Sequence, residues 1–295
     1  VVDYYDSKGT PNEKMEAHYL LGCIYRDQGE SPKAMQCYQR AIDCVDSLNK
    51  DSHEITLARV YGQMIYIYKK QYLHNEAILA CQKYSKYSEL AGDKYAYVQG
   101  KLYMASEYFE KGDTLRAIDL IKQCNSLYQR YGMYQEAARV FPKLIYLYLY
   151  RKQYQKAHYY MNIFENKSGL FDLNNNIKSG YEHYYKAKGL YFLGINQIDS
   201  AEFYYRKLGK YGFHYETAQG LLSVYRIAYE KDSVMKYSVI CEQEMDKILN
   251  ETQAKAVVLA NSLYNYTRLQ KKIEEEKQQK LRDKYVAIIA GFIIL

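Results

Sequence analysis

Apolar and small residues recur along this chain in one long pattern, not in the two-residue alternation of strands. Leu21, Gly22 and Tyr25 are followed, nine residues after the tyrosine, by Ala34, Tyr38 and Ala41. The spacing returns as Met64, Ile65, Tyr68, Ala77, Cys81, Tyr84, then as Met104, Ala105, Tyr108, Ala117, Ile121, Cys124. Leu144, Ile145, Tyr148, Ala157, Met161, Phe164 form a fourth copy, and Gly189, Phe192, Ala201, Tyr205, Leu208 a weaker fifth. A degenerate sixth reads Leu221, Leu222, Tyr225, Val234, Ser238, Cys241. The nine-residue gap from aromatic to small residue is kept in all six. Spacings of four, and of four then three, put these residues on one face of each of two successive helices. Six helical hairpins are predicted over residues 13–250, with the small residue where the two helices approach and the first helix's aromatic beside it. No hairpin buries its apolar face alone, so neighbours must stack.

Turn residues fit this reading. Gly29 precedes Ser31-Pro32, a cap followed by a first-turn proline, and Gly112-Asp113 stands at the matching place two copies on. Gly92 and Gly132 read as helix-ending glycines between copies. Asp51 and Glu54 have the spacing of a capping box. Pro142 falls inside the apolar run Val140 to Leu149, and by removing an amide bond to Ala138 it should kink the helix that begins near Tyr134.

The pattern of Leu21 to Ala41 resembles a tetratricopeptide repeat, and the likeness extends from about Glu13 to Asn250. It implies an all-α fold, a right-handed α–α superhelix or solenoid with a long C-terminal helix. The family's usual tryptophan is replaced by His18, Tyr61, Lys101, Phe141, Tyr185 or Ala218. Successive Ala34-type positions are 43, 40, 40, 44 and 33 residues apart, against a family period of about 34, so most helices or linkers should be longer than standard. Residues 1–9 read as the second helix of a hairpin lacking its first, as though the chain were a piece of a longer protein.

After Asn250 the hairpin pattern stops. Residues 251–284 read as one helix whose early apolar residues Val257, Ala260 and Tyr264 cap the open end of the stack, and whose part KKIEEEKQQKLRDK is too polar for a core and forms a stalk. Residues 285–295, YVAIIAGFIIL, carry no charge. Eleven residues span about 17 Å, half of a hydrocarbon core, so this run is either a buried terminal helix or the start of a transmembrane helix. An apolar run after a charged stalk has nothing nearby to bury it, which favours the second. Repeats, the segment Leu263 to Arg268, a charged helix and an apolar run in that order resemble bacterial membrane-tethered tetratricopeptide proteins. That resemblance implies an inner-membrane anchor with the repeats on the periplasmic side. Lys280, Arg282 and Lys284 before the run argue for the cytosolic side instead.

Composition narrows the function. The 295 residues carry a net charge of +7 spread along the chain, which disfavours a nucleic-acid binder, whose charge gathers on one face. Tyrosine supplies 38 of the 46 aromatics and tryptophan none, and most tyrosines, including Tyr25, Tyr68, Tyr108, Tyr148 and Tyr225, fall at repeat-core positions. Cys23, Cys37, Cys44, Cys81, Cys124 and Cys241 show no metal spacing and read as small buried thiols. The histidines His18, His53, His74, His158, His183 and His214 are scattered. Ser233 with Lys236 lacks the partner motifs of an S-x-x-K enzyme, and Gly209-Lys210 lacks a phosphate loop. No enzyme, metal or cofactor is expected.

The resemblance also implies a binding surface on the inner face of the first helices. Carried over residue by residue, it comprises Tyr19, Arg26, Arg59, Tyr66, Lys69, Lys70, Phe109, Arg139, Tyr146, Tyr150, His183, Lys186 and Arg226. Tyrosines among Lys and Arg suit an extended, carboxylate-bearing protein segment, and they also suit a small ligand or glycan. The ninth repeat position, Cys23, Tyr66, Ser106, Tyr146, Leu190 or Ser223, is never the asparagine of chaperone-tail clamps.

Overall fold

The computed structural model describes residues 2–45 and 53–294, with many side chains beyond residue 254 outside that description. The chain divides into two compact units, Val1–Asp51 with Glu251–Leu295, and Ser52–Asn250. Among the described residues all regular structure is helical.

The first unit holds α1 (Val2–Lys8), α2 (Pro11–Asp27) and α3 (Ser31–Asp43). A capping box starts α2: the Thr10 hydroxyl accepts from the Glu13 amide, the Glu13 carboxylate accepts from the Thr10 amide at 2.8 Å, and Pro11 occupies the first turn. These interactions satisfy amides the helix leaves unpaired. Asp6 of α1 meets His18 Nε2 of α2 at 2.9 Å. The cap of α3 is Glu30, not Ser31 as the sequence suggested, and Pro32 lies in its first turn.

The second unit comprises α4 (His53–Lys70), α5 (His74–Leu90), α6 (Lys94–Glu110), α7 (Thr114–Arg130), α8 (Tyr134–Arg139), α9 (Phe141–Tyr150), α10 (Tyr154–Lys167), α11 (Tyr184–Gly194), α12 (Ile198–Gly209) and α13 (His214–Ile227). Helix α14, Lys231–Ile294, begins in it, with Val234 and Tyr237 packed against the Tyr205–Tyr225 cluster. The repeat register is visible in burial: Ala34, Ala77, Ala117, Ala157 and Ala201 are all 0% exposed. A larger residue at any of them would push a hairpin apart. The architecture is an all-α repeat solenoid.

The short turns between helices use a residue in the left-handed region. Gly29, Gly92, Gly112, Gly132 and Gly212 supply it at φ 74–87°, and Tyr72, Lys152, Asn196 and Tyr229 occupy the equivalent place at φ 56–61°. Side chains there cost about 1–2 kcal/mol, partly offset by their smaller entropy loss on folding. Lys152→Gly should therefore stabilise the unit slightly, by under about 1 kcal/mol, while Gly112→Ala should destabilise it by about as much. Opposite signs at these two matched turns, read by thermal unfolding, are the expected outcome.

Pro142 acts as its position predicts. The fourth hairpin's first helix is split into α8 and α9 at Val140, with Pro142 in the first turn of α9. Between α10 and α11 lies a segment that the hairpin pattern does not reveal. Phe171 and Ile177 form an isolated antiparallel bridge, and Asp172 Oδ1 accepts from the amides of Asn174 and Asn176 at 2.9 and 2.7 Å. The Ile177 amide donates to the Tyr185 hydroxyl at 3.1 Å. This insert accounts for the 44-residue spacing of the fourth interval.

The polar stalk and the apolar run form one helix as far as Ile294. No helix among the described residues is long and apolar enough to cross a membrane. Of the three expected capping residues, Val257 and Tyr264 have side chains outside the description, and Ala260 is exposed. The Asp51 capping box also lies outside the described residues.

Candidate functional site

In the second unit the first helices of successive hairpins stand side by side, and their side chains meet across the hairpins. Glu107 of α6 has a side chain only 2% exposed, between Lys69 Nζ of α4 at 3.0 Å and His74 Nδ1 of α5 at 2.9 Å. A carboxylate withdrawn from water needs such partners. Lys69 also lies 5.8 Å from the Tyr103 ring. On the same helix, Ser106 accepts a hydrogen bond from the Lys143 ammonium of α9 and donates to the Leu102 carbonyl at 3.1 Å. Although Lys143 is exposed as a residue, its ammonium sits among enough neighbouring atoms that burial lowers its pKa to about 8. The Lys69 charge adds to the shift and Glu107 opposes it.

Further along the face, the Tyr146 hydroxyl of α9 donates to the His183 carbonyl at 2.9 Å and touches His183 Nδ1 at 3.1 Å. His183 packs against Phe213 with ring centroids 5.4 Å apart. Burial raises the Tyr146 pKa, so its hydroxyl keeps its proton as a donor. Burial and then the Lys186 ammonium lower that of His183, against the pull of Glu216. The surface therefore offers ammonium groups, tyrosine rings and fixed donors across four hairpins. The Cys81 and Cys124 thiols are pushed up to about 12 by burial and are protonated. Cys37 is buried too, whereas Cys23, Cys44 and Cys241 are only partly so, which corrects the expectation that all six are buried. Ser233 donates to Glu230 at 3.0 Å while Lys236 lies against the Tyr237 ring, so that pair is not assembled as a dyad.

The expected binding residues are placed unevenly. Tyr146, His183 and Lys186 are brought together, and Lys70 lies 4.6 Å over the Tyr66 ring. Lys69, expected as a ligand contact, is instead engaged by Glu107. Arg139 is likewise occupied: its guanidinium donates to the Ser168 carbonyl at 3.0 Å and to Glu136 and Gln135, tying α8 to the insert. Arg59, Phe109, Tyr150 and Arg226 are exposed. Tyr19 and Arg26 belong to the other unit, Tyr19 against Tyr38 and Arg26 bonded to Asp27. The residues not anticipated are Glu107, Ser106, Lys143 and Tyr103. Glu107 had a signal: its register position is Ile24, Ile67, Leu147, Tyr191 or Val224 in the other copies.

A separate cleft of about 680 Å³ lies between the second helices α7 and α10 and the split first helix α8–α9 between them. Ala137, Ala138 and Phe141 are among its lining residues, together with Lys122, Tyr134, Tyr159 and Lys167.

Residues 16–44, the α2–α3 hairpin, match the tetratricopeptide repeat family. The chain is thus an all-α helical-repeat solenoid with one hairpin that is similar to a tetratricopeptide repeat. Its backbone is similar to the crystal structure of BtubC (BKLC) from P. vanneervenii, with TM-score 0.55 and 15% identity over 69% of this chain and 84% of that one. At that identity the likeness shows the fold. No curated protein matches the sequence. Tetratricopeptide repeats generally serve as non-enzymatic scaffolds for protein–protein interaction.

Proposed function

We propose that this tetratricopeptide-like protein is a non-enzymatic scaffold that binds an extended, acidic protein segment along the first-helix face of its second unit. The observation that carries this reading is the run of cationic and tyrosine side chains from Tyr66 and Lys70 through Tyr103 and Lys143 to Tyr146 and Lys186. It offers ring faces and ammonium groups at intervals along one surface. Only rim charges remain for a ligand once Lys69 and Arg139 are spoken for, so affinity should depend on salt.

Fluorescence anisotropy of a labelled glutamate-rich peptide tests the reading. Binding should weaken steeply as salt rises, and Lys70→Glu with Lys186→Glu should reduce affinity about tenfold while stability stays within about 0.5 kcal/mol of wild type. Lys70 is exposed and Lys186 is half-buried, and Lys70 lies over the Tyr66 ring. Unchanged affinity in the folded double variant would remove the site from this face. Tyr150, 82% exposed, favours the alternative of a glycan stacked on tyrosine, which would bind independently of salt.

The tether is part of the same proposal. The uncharged run 285–295 following a charged helix supports a membrane anchor. The order of parts, which resembles bacterial membrane-tethered repeat proteins, supports an inner-membrane location with the repeats on the periplasmic side, against the basic flank Lys280, Arg282 and Lys284. A compartment-specific reporter fused before Tyr285 would be active outside the cytosol; cytosolic activity would overturn that side.

A further inference from the structure

Helix α14 is 64 residues long, about 96 Å, whereas α13, its neighbour in the last hairpin, has 14. Long helices in water depend on packing of an apolar face. In α14, Met245, Leu249, Thr252, Ala256, Leu259, Leu263, Tyr266, Gln270 and Ile273 follow one another at alternating steps of four and three. Seven of these nine are apolar, and Met245 and Leu249 are 43% and 50% exposed.

We propose that this stripe is the seam of a parallel two-stranded coiled coil with a second copy of the chain. A strict 3.5-residue repeat drifts about 20° per heptad around a straight helix, so over four heptads it stays against a neighbour only if both helices supercoil. A flat docking face would instead follow the 3.6 period with a wider stripe.

The choice of an identical partner rests on the flanking and polar positions. From Gln253 to Leu269 the residues beside the seam are Gln253, Lys255, Ala260, Ser262, Thr267 and Leu269, with one charge among them. Like copies therefore meet without repulsion. Gln270 at a core position can pair with the same residue across a two-fold axis, because its amide both donates and accepts, and a single polar core residue fixes register. Beyond Ile273 the seam positions become Lys277 and Lys280, which ends the contact.

The chain, held in a non-ionic detergent that covers its apolar C-terminal run, should show twice the monomer protein mass in sedimentation equilibrium. Leu259→Lys with Leu263→Lys should return it to monomer, while Val258→Lys, a charge at an exposed apolar position off the seam, should leave the dimer intact. A monomeric wild type overturns the proposal, and so does a dimer that survives the double seam variant, since the apolar tail would then be holding it. Gln270→Cys adds a measurement independent of folding changes at the leucines. Mild oxidation should give a covalent dimer that the wild type, with its own six cysteines, does not give. No added cross-linking at that position overturns the parallel arrangement.

Discussion

Gly220→Ala is expected to destabilise the second unit by about 1–3 kcal/mol, although alanine in place of a helical glycine ordinarily stabilises by up to about 1 kcal/mol. The sign is reversed by Tyr205. A Cβ on Gly220 would lie 2.2–2.5 Å from Cδ1, Cε1 and Cγ of that ring, and one on Gly189 would lie 2.7–2.9 Å from Cζ, Cε1 and Cε2. The ring is therefore sandwiched between the backbones of α11 and α13, 2% exposed, with no direction in which to yield. Thermal unfolding checks this, with a loss of about 2–4 °C per kcal/mol for a unit of this size. Tyr205→Leu should make Gly220→Ala much less costly in a double-mutant cycle. A rise in melting temperature for Gly220→Ala alone would show that the ring moves freely.

Lys69→Met should cost about 2–3 kcal/mol, nearly as much as breaking a buried ion pair, reduced because the Lys69 side chain is 37% exposed and solvent screens that end. The loss comes from leaving the Glu107 carboxylate, 2% exposed, with His74 alone. Lys69→Glu should be worse, since it sets a second carboxylate beside the first. Replacing both partners, Lys69→Met with Glu107→Leu, should restore most of the stability, because no buried charge is then orphaned. Equal losses for the single and double variants would mean that packing, not the ion pair, holds α4 against α6. Charge reversal at Lys69 thus unfolds before it informs about binding, and Lys70 is the proper probe of the face.

Much of the fold can be read from the sequence because repeats write the same constraint several times. The nine-residue gap locates the closest helix approach in each hairpin, and all five alanines at that position are fully buried. What the pattern assigns less well is which aromatic fills the approach. At Gly22, Gly189 and Gly220 the neighbouring ring is a second-helix tyrosine, Tyr38 or Tyr205, which also explains why tyrosine is so frequent. The insert between α10 and α11 was illegible because its order comes from local bonds to Asp172 and from the distant Lys207, which donates to Asn176 at 2.8 Å.

The candidate site was legible only in outline. Repeat positions identify which residues face the first-helix surface, but not which cations a neighbouring hairpin neutralises. Lys69 and Arg139 look equivalent to Lys70 and Lys186 in sequence, yet the first pair is bound by Glu107 and by the insert's Ser168. Lys143 has no signal in the sequence, because its role depends on Ser106, 37 residues away.

Photo-cross-linking of a glutamate-rich peptide carrying a benzophenone, mapped by mass spectrometry, tests the binding account most directly. Adducts should concentrate on α4, α6, α9 and α11, near Tyr66, Tyr103 and Tyr146, and should disappear at high salt. Adducts in the cleft between α7, α8 and α10, around Lys122, Tyr134 and Tyr159, or none above those of an unacidic control peptide, would contradict the assignment of the first-helix face as the site.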